Sequence, residues 1–155
     1  MGSDAQIGRT GSLDKQFEAG TMKKVVQQTA TWDEAEAKKI VESVINSGEK
    51  FNVIYAENDG MAKGAVAALD EAGITHGVNG EVIVMGFDCN KWALRELLAG
   101  NWNYDGQCSP FQAKVISDFI TSGTAPSTKT IINEEKGFDA KTITQADIDT
   151  YGLGE

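Results

Sequence analysis

A chain of 155 residues, 41% of them hydrophobic and 17 of them glycine, is long enough for one compact domain with a core of its own. A formal net charge of -9 at pH 7 argues against a phosphate-backbone partner, because nucleic acid rewards clustered Lys and Arg. No run approaches the roughly 18 apolar residues of a membrane-spanning helix, residues 1–10 lack a signal-peptide pattern, and one histidine (His76) with two cysteines (Cys89, Cys108) offers no zinc-like spacing.

In chain order, the first predicted element is a helix over residues 5–19, anchored only by Ile7, Leu13 and Phe17. KKVVQQTA (23–30) reads as a strand, and WDEAEAKKIVESVINSG as a helix with Ala37, Ile40, Val41, Val44 and Ile45 on one face. FNVIYA (51–56) is the next strand, followed by the helix GMAKGAVAALDEAG with Met61, Ala65, Ala68 and Leu69 at helical spacing and Gly73 as its stop. EVIVMGF (81–87) precedes NKWALRELLAG, in which Trp92, Leu94 and Leu98 face a core and Gly100 ends the helix. NWNYDGQCSP holds a weaker strand, FQAKVISDFITSG a helix, TKTIIN (128–133) a last strand, and the remainder is a polar tail expected to run over the surface. This alternation predicts an α/β fold: a doubly wound parallel sheet in a flavodoxin-like three-layer α/β/α single lobe. The acidic residues Asp33, Glu34, Glu36, Glu134 and Glu135 read as solvated surface. Cys89 and Cys108 fall at strand ends, and two free thiols are expected over a single bridge between neighbouring strands.

In such a sheet, ligands bind at the carboxyl ends of the strands. Those ends carry Thr31 and Trp32, Asn58 and Asp59, Phe87 and Asp88, and Gln107 and Cys108. A sugar presents hydroxyls that donate and accept, together with apolar C–H patches, so its site calls for carboxylates, amides, guanidinium and an aromatic plate. Asp88 fits as acceptor, Asn58 as donor and acceptor, and Trp32 or Phe87 as the plate. Each also has an ordinary reading: Asp88 or Asn90 as the cap of the next helix, Asn58 or Asp59 as the cap of the helix at Met61, and Trp32 as a core aromatic beside an N-cap. Their coincidence on one edge of one sheet favours a ligand site.

IYAENDGMAKGAVAALDEAG followed by EVIVMGFD resembles the second lobe of type I periplasmic sugar-binding proteins, the ribose- and galactose-binding family of ABC-transporter substrate-binding proteins. GRTGSL, QQTATWDEAEA and AGNWNYDGQCSP fall in the same order and spacing. The resemblance implies a monosaccharide ligand, with Asn58 as the amide and Asp88 as the carboxylate on sugar hydroxyls, Phe87 before it, Trp32 stacking and Arg9 as a sugar-contacting guanidinium. Aligned on Pro110, Cys108 takes the place of a glutamine in ribose binders, with Gln107 one residue earlier, which implies a different hydroxyl pattern or a different sugar. The family closes two lobes on its ligand, so the resemblance implies that the first lobe is absent and that the chain is a truncated piece or the product of internal initiation. It divides the chain into a lobe (1–107), a post-hinge segment and helix that would pack on the absent lobe (108–126), and a strand with a polar tail (127–155). The apolar face of helix 111–122, formed by Val115, Ile116, Phe119 and Ile120, is then expected to dock on this lobe or on a second copy of the chain. The resemblance further implies permease subunits of an ABC transporter as partners of the full-length protein, a periplasmic or cell-surface location for it, and no cofactor.

Enzymatic function is disfavoured: His76 lies in a loop away from the strand carboxyl ends, and no phosphate cradle or G-x-S-x-G elbow is present. A phospho-receiver or flavin module shares the predicted fold, yet KKVVQQTAT supplies neither the acidic cluster nor the phosphate loop. Two alternatives stay open: a structural, self-associating module that binds no ligand, and the ligand domain of a sugar-responsive regulator.

Overall fold

The computed structural model describes residues 2–125 and 127–154. Its elements are α1 (Asp4–Glu18), α2 (Glu34–Asn46), β1 (Val53–Tyr55), α3 (Asp59–Glu71), β2 (Ile83–Asp88), α4 (Lys91–Leu98), β3 (Tyr104–Gln107), α5 (Phe111–Ser122), β4 (Gly137–Asp139) and α6 (Gln145–Tyr151). The sheet runs β1-β2-β3-β4, with the first three strands parallel and β4 antiparallel to β3. This is the expected α/β architecture with a parallel-dominated sheet.

Local chemistry sets most of these boundaries. Asp33 caps α2 by accepting the Glu36 N–H at 2.9 Å, and Asn58 caps α3 by accepting the Met61 N–H at 2.7 Å. Gly73 follows α3 with φ 68°, the left-handed backbone that glycine adopts without strain. Ala62, Ala65, Ala68 and Leu69 form the buried face of α3, while α4 buries Ala93, Leu94 and Leu97. Leu98, expected on that core face, is instead exposed, because the stripe of α4 falls one residue earlier. Val82, Val84 and Trp102 complete the centre of the core, where Trp92 meets Trp102 edge to face at 5.9 Å.

Four expectations are corrected. Residues 23–30 form no strand. A cavity of about 970 Å³ lies between that segment and β1, walled by Leu13 and Phe17 of α1 and by Ile40, Val41 and Val44 of α2. The segment has the composition of a strand but pairs with no strand of the sheet, and a strand exists only when paired. TKTIIN is likewise not a strand: Ile131 and Ile132 are exposed, and the pairing is made by Gly137–Asp139. The tail does not run over the surface, since Phe138, Ile143 and Ile148 are core residues and α6 packs on α4.

Helix α5 is the fourth, in the first of the two alternatives given for its apolar face. It does not dock its apolar face on this lobe: Ile116, Phe119 and Ile120 are exposed, Ile120 by 73%. Residue 126, the expected end of the post-hinge segment, lies outside the described residues. Cys89 is buried, Cys108 is exposed, and both are free thiols.

Helices α2 and α3 approach closely at Gly64, where a Cβ would sit 2.0 Å from the Glu34 carbonyl oxygen. Gly64→Ala is therefore expected to destabilise the lobe by about 1–3 kcal/mol, since the clash is with backbone that cannot swing aside. Gly60→Ala, whose added methyl would meet nothing nearer than Asn58 Oδ1 at 3.8 Å, is expected to be neutral or stabilising. Urea denaturation of the two variants side by side checks this difference.

Candidate functional site

The carboxyl ends of β1, β2 and β3 form one polar edge, and α1 lies across it. Asp88 ends β2 beside Gln107, its register partner on β3. The Arg9 guanidinium reaches down from α1, donating from Nη2 to Asp88 Oδ1 at 3.4 Å and from Nη1 to the Glu57 carbonyl. It also lies over the Phe87 ring, 4.6 Å from the centroid. Tyr55 meets the same ring edge-on at 5.4 Å and donates its hydroxyl to the Arg9 carbonyl at 3.3 Å. The Thr10 hydroxyl donates to the Glu57 carboxylate.

Phe87 is held here because its register partner is Gly106, where a Cβ would come within 2.5 Å of the ring. With Arg9 over its face and the Tyr55 ring packed against it, Phe87 is committed to the protein rather than presented as a free plate. Trp32 is the more available aromatic: it is 39% exposed and sits in a turn where both Thr31 and Trp32 have positive φ. Asn58 spends its oxygen as the α3 cap and donates Nδ2 to the Trp32 carbonyl at 3.4 Å, so it fixes that turn as well as the helix. Gln107 Oε1 accepts the Lys136 N–H at 3.2 Å, and its own N–H donates to the Lys136 carbonyl at 2.8 Å. Cys108 lies just beyond β3 with its thiol free.

The structure thus brings Arg9, Phe87 and Asp88 into direct contact, with Gln107 alongside Asp88. Asn58 and Trp32 form a second pair, joined to the first through Glu57. Burial pushes the Asp88 carboxyl up from its ordinary value, and the Arg9 charge pulls it back. Burial, with the charge of Glu57 adding to it, raises Tyr55 to about 12, so its phenol stays a hydrogen-bond donor. His76 is elsewhere, bonded to the Asn101 carbonyl at 2.8 Å and the Asp70 carboxylate at 3.0 Å, before β2 begins.

Sequence reasoning missed the partners that orient Arg9, namely Thr10, Tyr55 and Glu57. It also missed the inward role of Asp59, which turns beneath the site to accept both the backbone and side-chain N–H groups of Asn90, at 2.9 and 3.0 Å. Asp105, in the middle of β3, is fully buried beside it. The one available signal was an aspartate between Tyr104 and Gly106 in a strand otherwise destined for the interior.

Residues 1–124 match the family described as periplasmic binding protein domain. The chain is 31% identical over 134 residues to a fructose import binding protein of Bifidobacterium longum, covering 83% of this chain and 39% of that protein. It is 40% identical over 79 residues to a D-apiose import binding protein of Actinobacillus succinogenes, covering 51% of this chain and 24% of that one. Among solved structures, a Caulobacter myo-inositol binding protein bound to myo-inositol superposes with a TM-score of 0.74 at 26% identity, over 96% of this chain and 50% of that one. The chain therefore spans half or less of the length of each of these relatives. With four-fifths of its residues matching the family and the site edge lying where the strands end, the chain belongs to the periplasmic binding protein domain family.

Proposed function

We propose that this chain supplies one lobe of a two-lobe clamp that binds a monosaccharide for an ABC-type transporter, as a binding protein without covalent chemistry. The Arg9–Asp88 pair carries this reading: a guanidinium and a carboxylate, half-sheltered, fixed against each other and against Phe87 at the carboxyl edge of the sheet. The carboxylate has lone pairs left to accept sugar hydroxyl protons, and the guanidinium has N–H groups left to donate to ring or hydroxyl oxygens. Trp32 supplies the exposed plate for the C–H face, with Asn58 holding its turn, while Gln107 and Cys108 line the β3 side and tune which hydroxyl pattern is accepted. The relatives bear names for import of fructose and apiose, and the superposed structure holds myo-inositol, so polyhydroxylated six- and five-carbon ligands are the class to test. A periplasmic or cell-surface location and docking to permease subunits are part of the same proposal for the whole protein.

A single lobe covers one side of its ligand, so affinity should be weak, with Kd about 1 mM or above. Isothermal titration against a panel of pentoses, hexoses and inositols is expected to show binding that disappears in Asp88→Ala and falls at least tenfold in Asp88→Asn. Silence from every sugar with a correctly folded chain would replace this reading with that of a module that binds no ligand.

The exposed α5 face is the proposed surface for association of two copies when no other lobe covers it. Val115, Ile116, Phe119 and Ile120 recur at helical spacing on a helix none of whose residues 112–122 is buried. Sedimentation should find a dimer that Ile116→Ser with Ile120→Ser converts to monomer, and a monomeric parent chain would remove the proposal.

A further inference from the structure

Beneath residues 88–90 lie two carboxyl groups closed off from solvent, Asp59 at the start of α3 and Asp105 in β3. Each uses one oxygen to hold the turn above it. Asp59 Oδ2 accepts Asn90 N–H at 2.9 Å and Asn90 Nδ2–H at 3.0 Å, while Asp105 Oδ1 accepts Cys89 N–H at 3.4 Å, with the Cys89 thiol 3.8 Å away. The other two oxygens, Asp59 Oδ1 and Asp105 Oδ2, are buried and find no donor when both groups are ionised.

The fold explains why they face each other. Asp59 Oδ1 lies over Gly86, where a Cβ would be 2.7 Å away, and Gly86 is the register partner of Asp105 on the adjacent strand. The neighbouring groups offer little relief. From β2 and the turn come Asp88, another negative charge, the Cys89 thiol and the Asn90 amide; from β3 comes Asp105 itself, and nearby stands the Trp102 ring. Arg9 reaches Asp88 from above and spends its charge there.

Two buried like charges in contact are unfavourable, and one proton placed between them removes a charge and satisfies both orphan oxygens at once. We propose that Asp59 and Asp105 share a single proton through neutral pH as an O–H···O⁻ pair, and that this pair positions the 88–90 turn and hence Asp88. Burial, joined for Asp105 by the Asp59 charge, pushes both carboxyls above their ordinary range. The turn needs such a clamp: Asp88 has φ 115° and Cys89 φ 57°, a backbone that non-glycine residues adopt only when their surroundings enforce it. Asp59 and Asp105 are positioning residues here, because neither reaches the open edge.

For groups whose folded pKa is raised, stabilisation is full below the ordinary carboxylate range and is lost as pH rises through the folded values. Urea midpoints measured from roughly pH 5 to pH 9 should therefore fall steadily for the parent chain. Asp105→Asn places an amide where the shared proton was, donating to Asp59 and still accepting from Cys89, so its midpoint should change with pH much less. Infrared spectra at neutral pH should show an un-ionised carboxyl band in the parent chain that Asp105→Asn removes. Should that variant fail to fold, Asp59→Asn makes the same replacement from the other side, keeping its acceptor towards Asn90. The amide signals of Cys89 and Asn90 should shift with the same midpoint as the infrared band.

Absence of the band, or a pH slope in the folded variant equal to that of the parent chain, would overturn the shared proton. Turn amides that titrate independently of the band would overturn the positioning role. The inference rests on the sugar reading only for the use to which Asp88 is put, and no arm of the test contains a sugar, so a chain that binds no ligand leaves these outcomes intact.

Discussion

The turn between β2 and α4 is the constraint on which the candidate site depends. Strand β2 must stop with Asp88 at the sheet edge, and α4 must begin within two residues, which forces Asp88 and Cys89 into positive φ. Such a turn is costly by itself, on the order of 1–3 kcal/mol per residue so placed, and persists only if several elements over-determine it. Here Asp59 reaches in from α3 and Asp105 from β3, and the chain end closes the third side. Leu153 donates its N–H to the Cys89 carbonyl at 2.8 Å and accepts from Lys91 at 2.9 Å. Gly86 is part of the same solution, because any side chain there would strike Asp59 and the Trp102 ring.

From that turn follows a division of the lobe into a closed half and an open half. The closed half, α3, α4 and α6 with the later strands, buries Leu69, Val84, Leu94, Trp102 and Ile148 and clamps Asp88 from below. The open half has β1 with a free edge, the cavity under α1 and α2, and a segment at 23–30 that pairs with nothing in the sheet. Both halves contribute to the polar edge, so recognition residues differ in how firmly they are held. Asp88 and Gln107 sit on paired strands, whereas Arg9 and Trp32 sit on a helix without buried residues and on an exposed turn.

Features governed by local pattern were legible in the sequence. The apolar stripe of α3, the runs that became β1 and β2, and the polar residues following them could be placed because their signals lie within a dozen residues. Non-local features were not. KKVVQQTA carries the propensity of a strand, yet pairing depends on what lies alongside it, which no window of sequence contains. Residues 137–151 looked like a polar tail because their apolar members are few, although Phe138, Ile143 and Ile148 each reach the core. A usable signal was there in Thr144 with Asp147, the reciprocal cap that begins α6. Arg9 came from resemblance alone, since its partners Glu57, Phe87 and Asp88 are about 50 to 80 residues away, as its bonds to Glu57 and Asp88 confirm. Asp105 was hidden for the same reason: nothing about YDGQ announces that the aspartate will be buried against another carboxyl.

The attachment of α1 to the sheet joins recognition to architecture. No residue of α1 is buried, so its place over the edge rests on the Arg9 contacts with Glu57, Phe87 and Asp88, on Tyr55 bonding the Arg9 carbonyl, and on Thr10 with Glu57. The groups offered to a hydroxylated ligand are therefore those that dock the helix. A half-sheltered ion pair at 3.4 Å contributes modestly while water still reaches it, but a ligand that excludes water from around it would strengthen every electrostatic contact within. Ligand hydroxyls that bridge Arg9 and Asp88 would then hold α1 to the sheet as well as being held by it, so occupancy and the order of α1 should rise together. In this lobe a contact that docks α1 and the proposed binding contact are the same pair of side chains.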